Sequence, residues 1–213
     1  MNTFLEVVRK NIPSPLRMYD QWVCWEHETN QQGENIKNYK HAIRESSASL
    51  KSPVTWVDFK TCMKFHYNFD GAGFVTTHND PFIFWIFDDC RDPSNGEINP
   101  DIMNLVNQLN SYTELSPTGT GLKTIVVGKV IKYGRRNDYQ HIECYDSKQF
   151  IPLTGNHLEE TPKRIKERFS ITDTLHRNIF FNQIERECEN SLERKYYLPH
   201  GPRPDLFKSN SLI

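Results

Sequence analysis

A chain of 213 residues, 37% hydrophobic and 25% charged with a formal net charge of -1, has the make-up of an ordinary globular protein and excludes a disordered polyelectrolyte. The near-neutral balance means that any nucleic-acid contact must come from a local basic patch, not from the charge of the whole. Five scattered cysteines, Cys24, Cys62, Cys90, Cys144 and Cys188, make no C-x-x-C pair and no finger spacing, which points to reduced thiols in a cytoplasmic protein. The first twenty residues carry charge and proline where a signal peptide or membrane span is apolar.

In chain order, residues 19–26 (YDQWVCWE) alternate as a strand does, and the polar stretch that follows, with Gly33, predicts a hairpin. Ser52-Pro53 signals a helix entry, and Trp56, Phe59 and Met63 recur at helical spacing, so a helix is expected over residues 54–65. Residues 74–77 and the wholly apolar 82–87, joined by the turn His78-Asn79-Asp80-Pro81, read as a hairpin at the centre of a sheet. Ile102, Leu105, Val106 and Leu109 share one face of a helix over residues 100–109. Residues 113–115, 124–127, 141–144 and 150–154 are further short strands between Gly, Pro and charged turns. The tail from Glu159 is rich in charge, has helical spacing at 175–192 and ends in YYLPHGPRPDLF. The expectation is an α+β fold, a mixed or antiparallel sheet flanked by helices, with a domain over 1–158 and a helical appendage with a loose tail over 159–213.

Several motifs stand in a fixed order: YDQWVCW, Lys37 in the polar hairpin, SPVTW, GAGFVTTHNDPF, DDCRDPSNGEI, LNSYTELSPTGTGLK and IECYDSKQFIPLTGN. Together they resemble the primase-polymerase domains of the archaeo-eukaryotic primase superfamily, as found in phage and plasmid replication proteins. The resemblance covers about residues 19–156 and implies a template-directed nucleotidyltransferase scaffold. In that family an Asp-x-Asp pair on a strand shares divalent metal with a further carboxylate, because alternate strand residues face the same side. Here Asp88 matches the second aspartate and Ile86 stands at the first position. After the S-P-x-G-x-G-L turn, matched by Ser116, Pro117, Gly119, Gly121 and Leu122, the family has a phosphate-contacting histidine; this chain has Lys123. Glu143 matches the third acidic ligand, and Lys148-Gln149 stands where relatives carry Gly-Arg. The resemblance thus implies catalytic positions at Asp88 and Glu143, nucleotide contacts at Ser116, Gly119, Gly121 and Lys123, and magnesium or manganese at a weakened site built from Asp88, Asp89 and Glu143.

The residues also admit plainer readings. Asp88, Asp89 and Asp92 suit a strand end and turn, Glu143 suits an exposed strand face, and Trp22, Trp25, Trp56 and Trp85 suit a core. The string GTGLKT lacks the spacing of a phosphate loop. Lys129, Lys132, Arg135 and Arg136, interleaved with Tyr133 and Tyr139, are either a solvated loop or a strand-binding patch that acts by charge and stacking. Three readings stand. One is a catalytically silent domain that binds single-stranded or primer-template nucleic acid or a replication partner. The second is an active primase-polymerase with altered metal demands, and the third a protein-binding decoy. The first and second need replication proteins in trans.

Overall fold

The computed structural model describes residues 4–29, 32–33, 35–129, 136–138 and 140–180. Two antiparallel hairpin partners open the fold, β1 (Trp22–Thr29) and β2 (Asn35–Lys40), paired so that Trp25 lies opposite Tyr39 and His27 opposite Lys37. β3 (Gly71–Val75) and β9 (Phe150–Leu153) complete a four-stranded sheet in the order β2-β1-β3-β9. The second sheet has the order β10-β6-β4-β8-β7, with β5 also paired to β6. Its strands are β4 (Phe82–Phe87), β5 (Thr113–Leu115), β6 (Leu122–Val127), β7 (Arg136–Asn137), β8 (Ile142–Tyr145) and β10 (Lys166–Glu167).

The α+β expectation holds, with antiparallel pairing throughout except for the parallel β10–β6 contact. Two local expectations do not. β3 and β4 are not a hairpin: they belong to different sheets, because the link between them is captured by the Asp80 carboxylate. That carboxylate accepts from Thr77 N at 2.8 Å, Thr77 Oγ1 at 3.0 Å and Gln21 Nε2 at 2.9 Å, which steers the chain from one sheet to the other. The helix expected over 54–65 is also shorter. A 3-10 turn covers Pro53–Thr55, and Val57 then exchanges backbone hydrogen bonds with Trp22 in a β-bridge. Helix α1 (Phe59–Phe65) starts only after Asp58, whose side chain caps Thr61 N.

Helix α2 (Pro100–Leu109) begins with Asn99 as cap and proline in its first turn and ends on left-handed Asn110, φ 41°. A third helix, α3, covers residues 169–180. The described part of the expected appendage is packed into the fold: β10 pairs with β6, and Leu175, Ile179 and Phe180 join Ile83, Trp85, Phe87, Val106 and Leu109 in one core cluster. Residues 181–213 of that segment lie outside the described residues. A second cluster brings Trp22, Cys24, Ala72 and Phe74 of the first sheet together with Phe82, Phe84 and Ile125 of the second and with Phe59, Cys62 and Met63 of α1. Trp22, Trp25 and Trp85 are buried, whereas Trp56 is half-buried and donates to Ser49 O. Cys24, Cys62, Cys90 and Cys144 are buried and form no disulfide, and Cys188 lies outside the described residues.

Strand β4 therefore runs inside the second sheet with two dissimilar sides. Ile83, Trp85 and Phe87 face α2 and α3, while Phe82 and Phe84 face the core shared by both sheets. Ile86 is the last residue on that second side and is partly exposed at its border.

Candidate functional site

The registers of five strands align one transverse row across this border. Glu114 on β5 pairs with Lys123 on β6, Lys123 with Ile86 on β4, Ile86 with Glu143 on β8, and Glu143 with Arg136 on β7. Residues directly opposite in adjacent strands share a face, so the row reads acid, base, alkyl, acid, base. Asp88, two residues past Ile86, continues the same side from the turn that ends β4, and it is exposed. Three sequence candidates, Asp88, Lys123 and Glu143, thus lie around one sec-butyl side chain.

Lys123 is 3% exposed, and its Nζ finds no hydrogen-bond partner among the described residues. Burial pulls its pKa down to about 8; Glu114 and Asp88 oppose the shift and Lys37 adds to it. Glu114 is wholly buried and holds three donors: Tyr112 Oη, Thr154 N and Gly155 N, each at 2.9 Å. Burial raises its pKa, against the pull of Lys123 and these hydrogen bonds. This carboxylate therefore fastens the end of β9 to β5 as well as facing the lysine. Sequence reasoning passed over Glu114. The signal was available, since a hairpin closed around Pro117–Thr120 sets an acid and a base three residues outside each end directly opposite one another.

On the other flank, the Glu143 side chain is 17% exposed and lies 3.4 Å from Arg136 Nε; Arg136, 66% exposed, also pairs with Asp138. Burial raises the Glu143 pKa, a Tyr145 hydrogen bond lowers it, and the like charge of Asp88 raises it further. Tyr145 is pushed up to about 12, first by burial and then by Glu143. From the other sheet comes Lys37, whose ammonium lies 5.8 Å over the Trp25 ring. Desolvation lowers its pKa, and Asp88 and Glu143 hold it up.

The turn between β5 and β6 is built tightly against the end of β4. Ser116 Oγ accepts from Gly121 N at 3.0 Å, and Ser116 N donates to Gly121 O at 2.8 Å. Gly119 sits at φ +74°, and a Cβ on Gly121 would fall 2.6 Å from Phe87 O. Arg91 clamps the outside, its Nη1 donating to Gly119 O at 2.9 Å and its backbone N to Thr120 O. Ser116, Gly119 and Gly121 thus set the turn beside Asp88 and Lys123. Lys148 holds a left-handed φ of 58°. Asp89 is also left-handed, φ 49°, with its carboxylate 75% exposed and 3.9 Å from His141 Nδ1. Of the basic patch, Lys129 and Arg136 are exposed, whereas Lys132 and Arg135 lie outside the described residues, as do Tyr133 and Tyr139.

A two-metal centre needs several hard oxygen donors converging on ions about 4 Å apart. Here Ile86 fills the middle of the row, Asp89 turns toward His141, and two ammonium groups act on the remaining carboxylates. Among the described residues no three Asp, Glu, His or Cys side chains stand as a ligand group. The donor set does not fit a pair of divalent ions.

No family model matches the chain. It is 32% identical over 146 residues to the DNA primase-polymerase of Nitratiruptor phage NrS-1, a match that covers 66% of this chain and 20% of the phage protein. The chain thus spans about a fifth of the length of this curated relative. Among the described residues no helix is long and apolar enough to cross a membrane. The motif order, the mixed α+β fold and the similarity to the phage protein together identify a primase-polymerase-like domain in this chain.

Proposed function

We propose that this primase-polymerase-like domain binds single-stranded or primer-template nucleic acid without extending it, in a replication system of phage or plasmid type whose other activities are supplied in trans. The observation that carries the reading is Ile86, an alkyl group between Lys123 and Glu143 at the centre of the charged row. Metal-assisted nucleotidyl transfer asks for a carboxylate there, and an alkyl group supplies none. The nucleic-acid side of the reading draws on the similarity to a DNA primase-polymerase and on the basic run Lys129, Lys132, Arg135 and Arg136.

A second reading, a working enzyme that uses Asp88 and Glu143 with a different metal demand, is favoured by one fact only: both carboxylates remain on the same side of the sheet. Binding is tested by fluorescence anisotropy of labelled single strands over a salt series. The wild type is expected to bind weakly and to lose affinity with salt. Alanine at all four basic positions is expected to weaken binding and flatten the slope by about 0.7 per lost phosphate contact. Unchanged affinity in the fourfold variant would favour a protein-binding role.

A further inference from the structure

The buried lysine is the least expected feature of the row. A lysine 97% withdrawn from solvent is normally neutralised by close hydrogen-bonded partners, yet Lys123 Nζ has none among the described residues and is balanced by charge alone. The acid directly opposite it, Glu114, already accepts from Tyr112, Thr154 and Gly155. Lys37 reaches the same region from the other sheet and acts on Asp88 and Glu143. Glu114, Asp88 and Glu143 thus each feel a neighbouring cation: Lys123 acts on Glu114 and Asp88, Lys37 on Asp88 and Glu143, and Arg136 pairs with Glu143.

We propose that Lys123, with Lys37 from the other sheet, is a fixed counter-cation standing in for divalent metal, so that a single strand binds at this face without any metal ion. The proposal rests on the reading of this face as the nucleic-acid side of a primase-polymerase-like domain. Its physical basis is Coulombic. A divalent ion approaching Asp88 or Glu143 meets two ammonium groups, and it is repelled twice as strongly as a monovalent one. Lys123 is buried and poorly screened by salt, whereas Lys37 and Asp88 are exposed, so the share of the exclusion that Lys123 supplies persists at ordinary ionic strength. The same reasoning says that restoring one carboxylate is not enough. An aspartate at position 86 would lie directly opposite Lys123 and pair with it.

Manganese binding, read as loss of the free-ion signal in electron paramagnetic resonance, tests this on the whole chain. The wild type and Ile86→Asp are expected to withdraw no manganese up to ~1 mM, the weak end of biological divalent sites. Ile86→Asp with Lys123→Gln, shown folded by thermal melting, is expected to bind it saturably. Manganese uptake by the wild type, equal uptake by the single and double variants, or none by the folded double variant overturns the proposal. If the double variant does not fold, the wild-type titration alone decides. In parallel, the affinity of the wild type for a labelled single strand is expected to agree within about twofold between EDTA and magnesium at matched ionic strength. A requirement for magnesium also overturns it. Failure to bind the strand at all defeats the functional reading, whereas the manganese titration, which uses no nucleic acid, still decides the counter-cation claim.

Discussion

The two sides of β4 hold the same kinds of residue and do opposite things. On one, Ile83, Trp85 and Phe87 close a dry core under α2 and α3. On the other, Phe82 and Phe84 are as buried, but Ile86 opens onto Glu114, Lys123, Glu143 and Arg136. An ordinary core is held by area and packing, whereas the charged side is held by mutual compensation, in which each ion stabilises the next and removal of one leaves another stranded. The difference lies in the partners that β6 and β8 bring, not in β4 itself.

The largest effect is expected where that compensation is strongest. Glu114→Ala leaves Tyr112 Oη and two backbone N–H groups without their acceptor and Lys123 without the charge opposite it, and a loss of about 3–5 kcal/mol is expected in urea unfolding. A cost as small as that of a surface substitution would show that the row is held by packing after all. Gly121→Ala comes next. Its Cβ would meet Phe87 O at 2.6 Å, and about 1–3 kcal/mol is expected, together with weaker strand binding because the turn must lift from Asp88.

The packed side is expected to be more forgiving of a lost polar group. Trp85 Nε1 is buried with no hydrogen-bond partner among the described residues, so Trp85→Phe gives up ring volume but also relieves a stranded N–H. A net change within about 1.5 kcal/mol is expected by thermal melting. The charged side should also show itself in pH. With its pKa near 8 in the folded chain against 10.5 when free, Lys123 holds fewer protons folded than unfolded between these values. Its contribution to stability should therefore rise as pH rises through that window. Wild type and Lys123→Met melted in parallel from pH 7 to 10.5 should differ, the stability of the wild type relative to the variant rising with pH.

Most strands were legible because their residues alternate or run apolar between Gly and Pro turns, as at 113–115, 122–127 and 150–153. The β3–β4 link was misread because HNDP looks like a tight turn; Asp80 does hold Thr77 locally, but its bond to Gln21 is a long-range event that no local pattern announces. The helix at 54–65 failed for a related reason: Val57 gains more from bridging Trp22 than helical spacing offers. At the site, matched motifs located Asp88, Lys123 and Glu143, but the continuous row needed strand registers. Glu114, whose hairpin signal was passed over, and the reach of Lys37 from the first sheet came with the structure.

The account turns on Ile86, and primer extension by the purified wild type tests it most directly. With a labelled primer-template, all four nucleotides and either magnesium or manganese, no template-dependent product is expected. A missing ligand worth several kcal/mol of transition-state stabilisation costs about tenfold in rate for every 1.36 kcal/mol. Robust templated incorporation by the wild type, abolished by Asp88→Ala, would contradict the account and establish the site as a working polymerase centre.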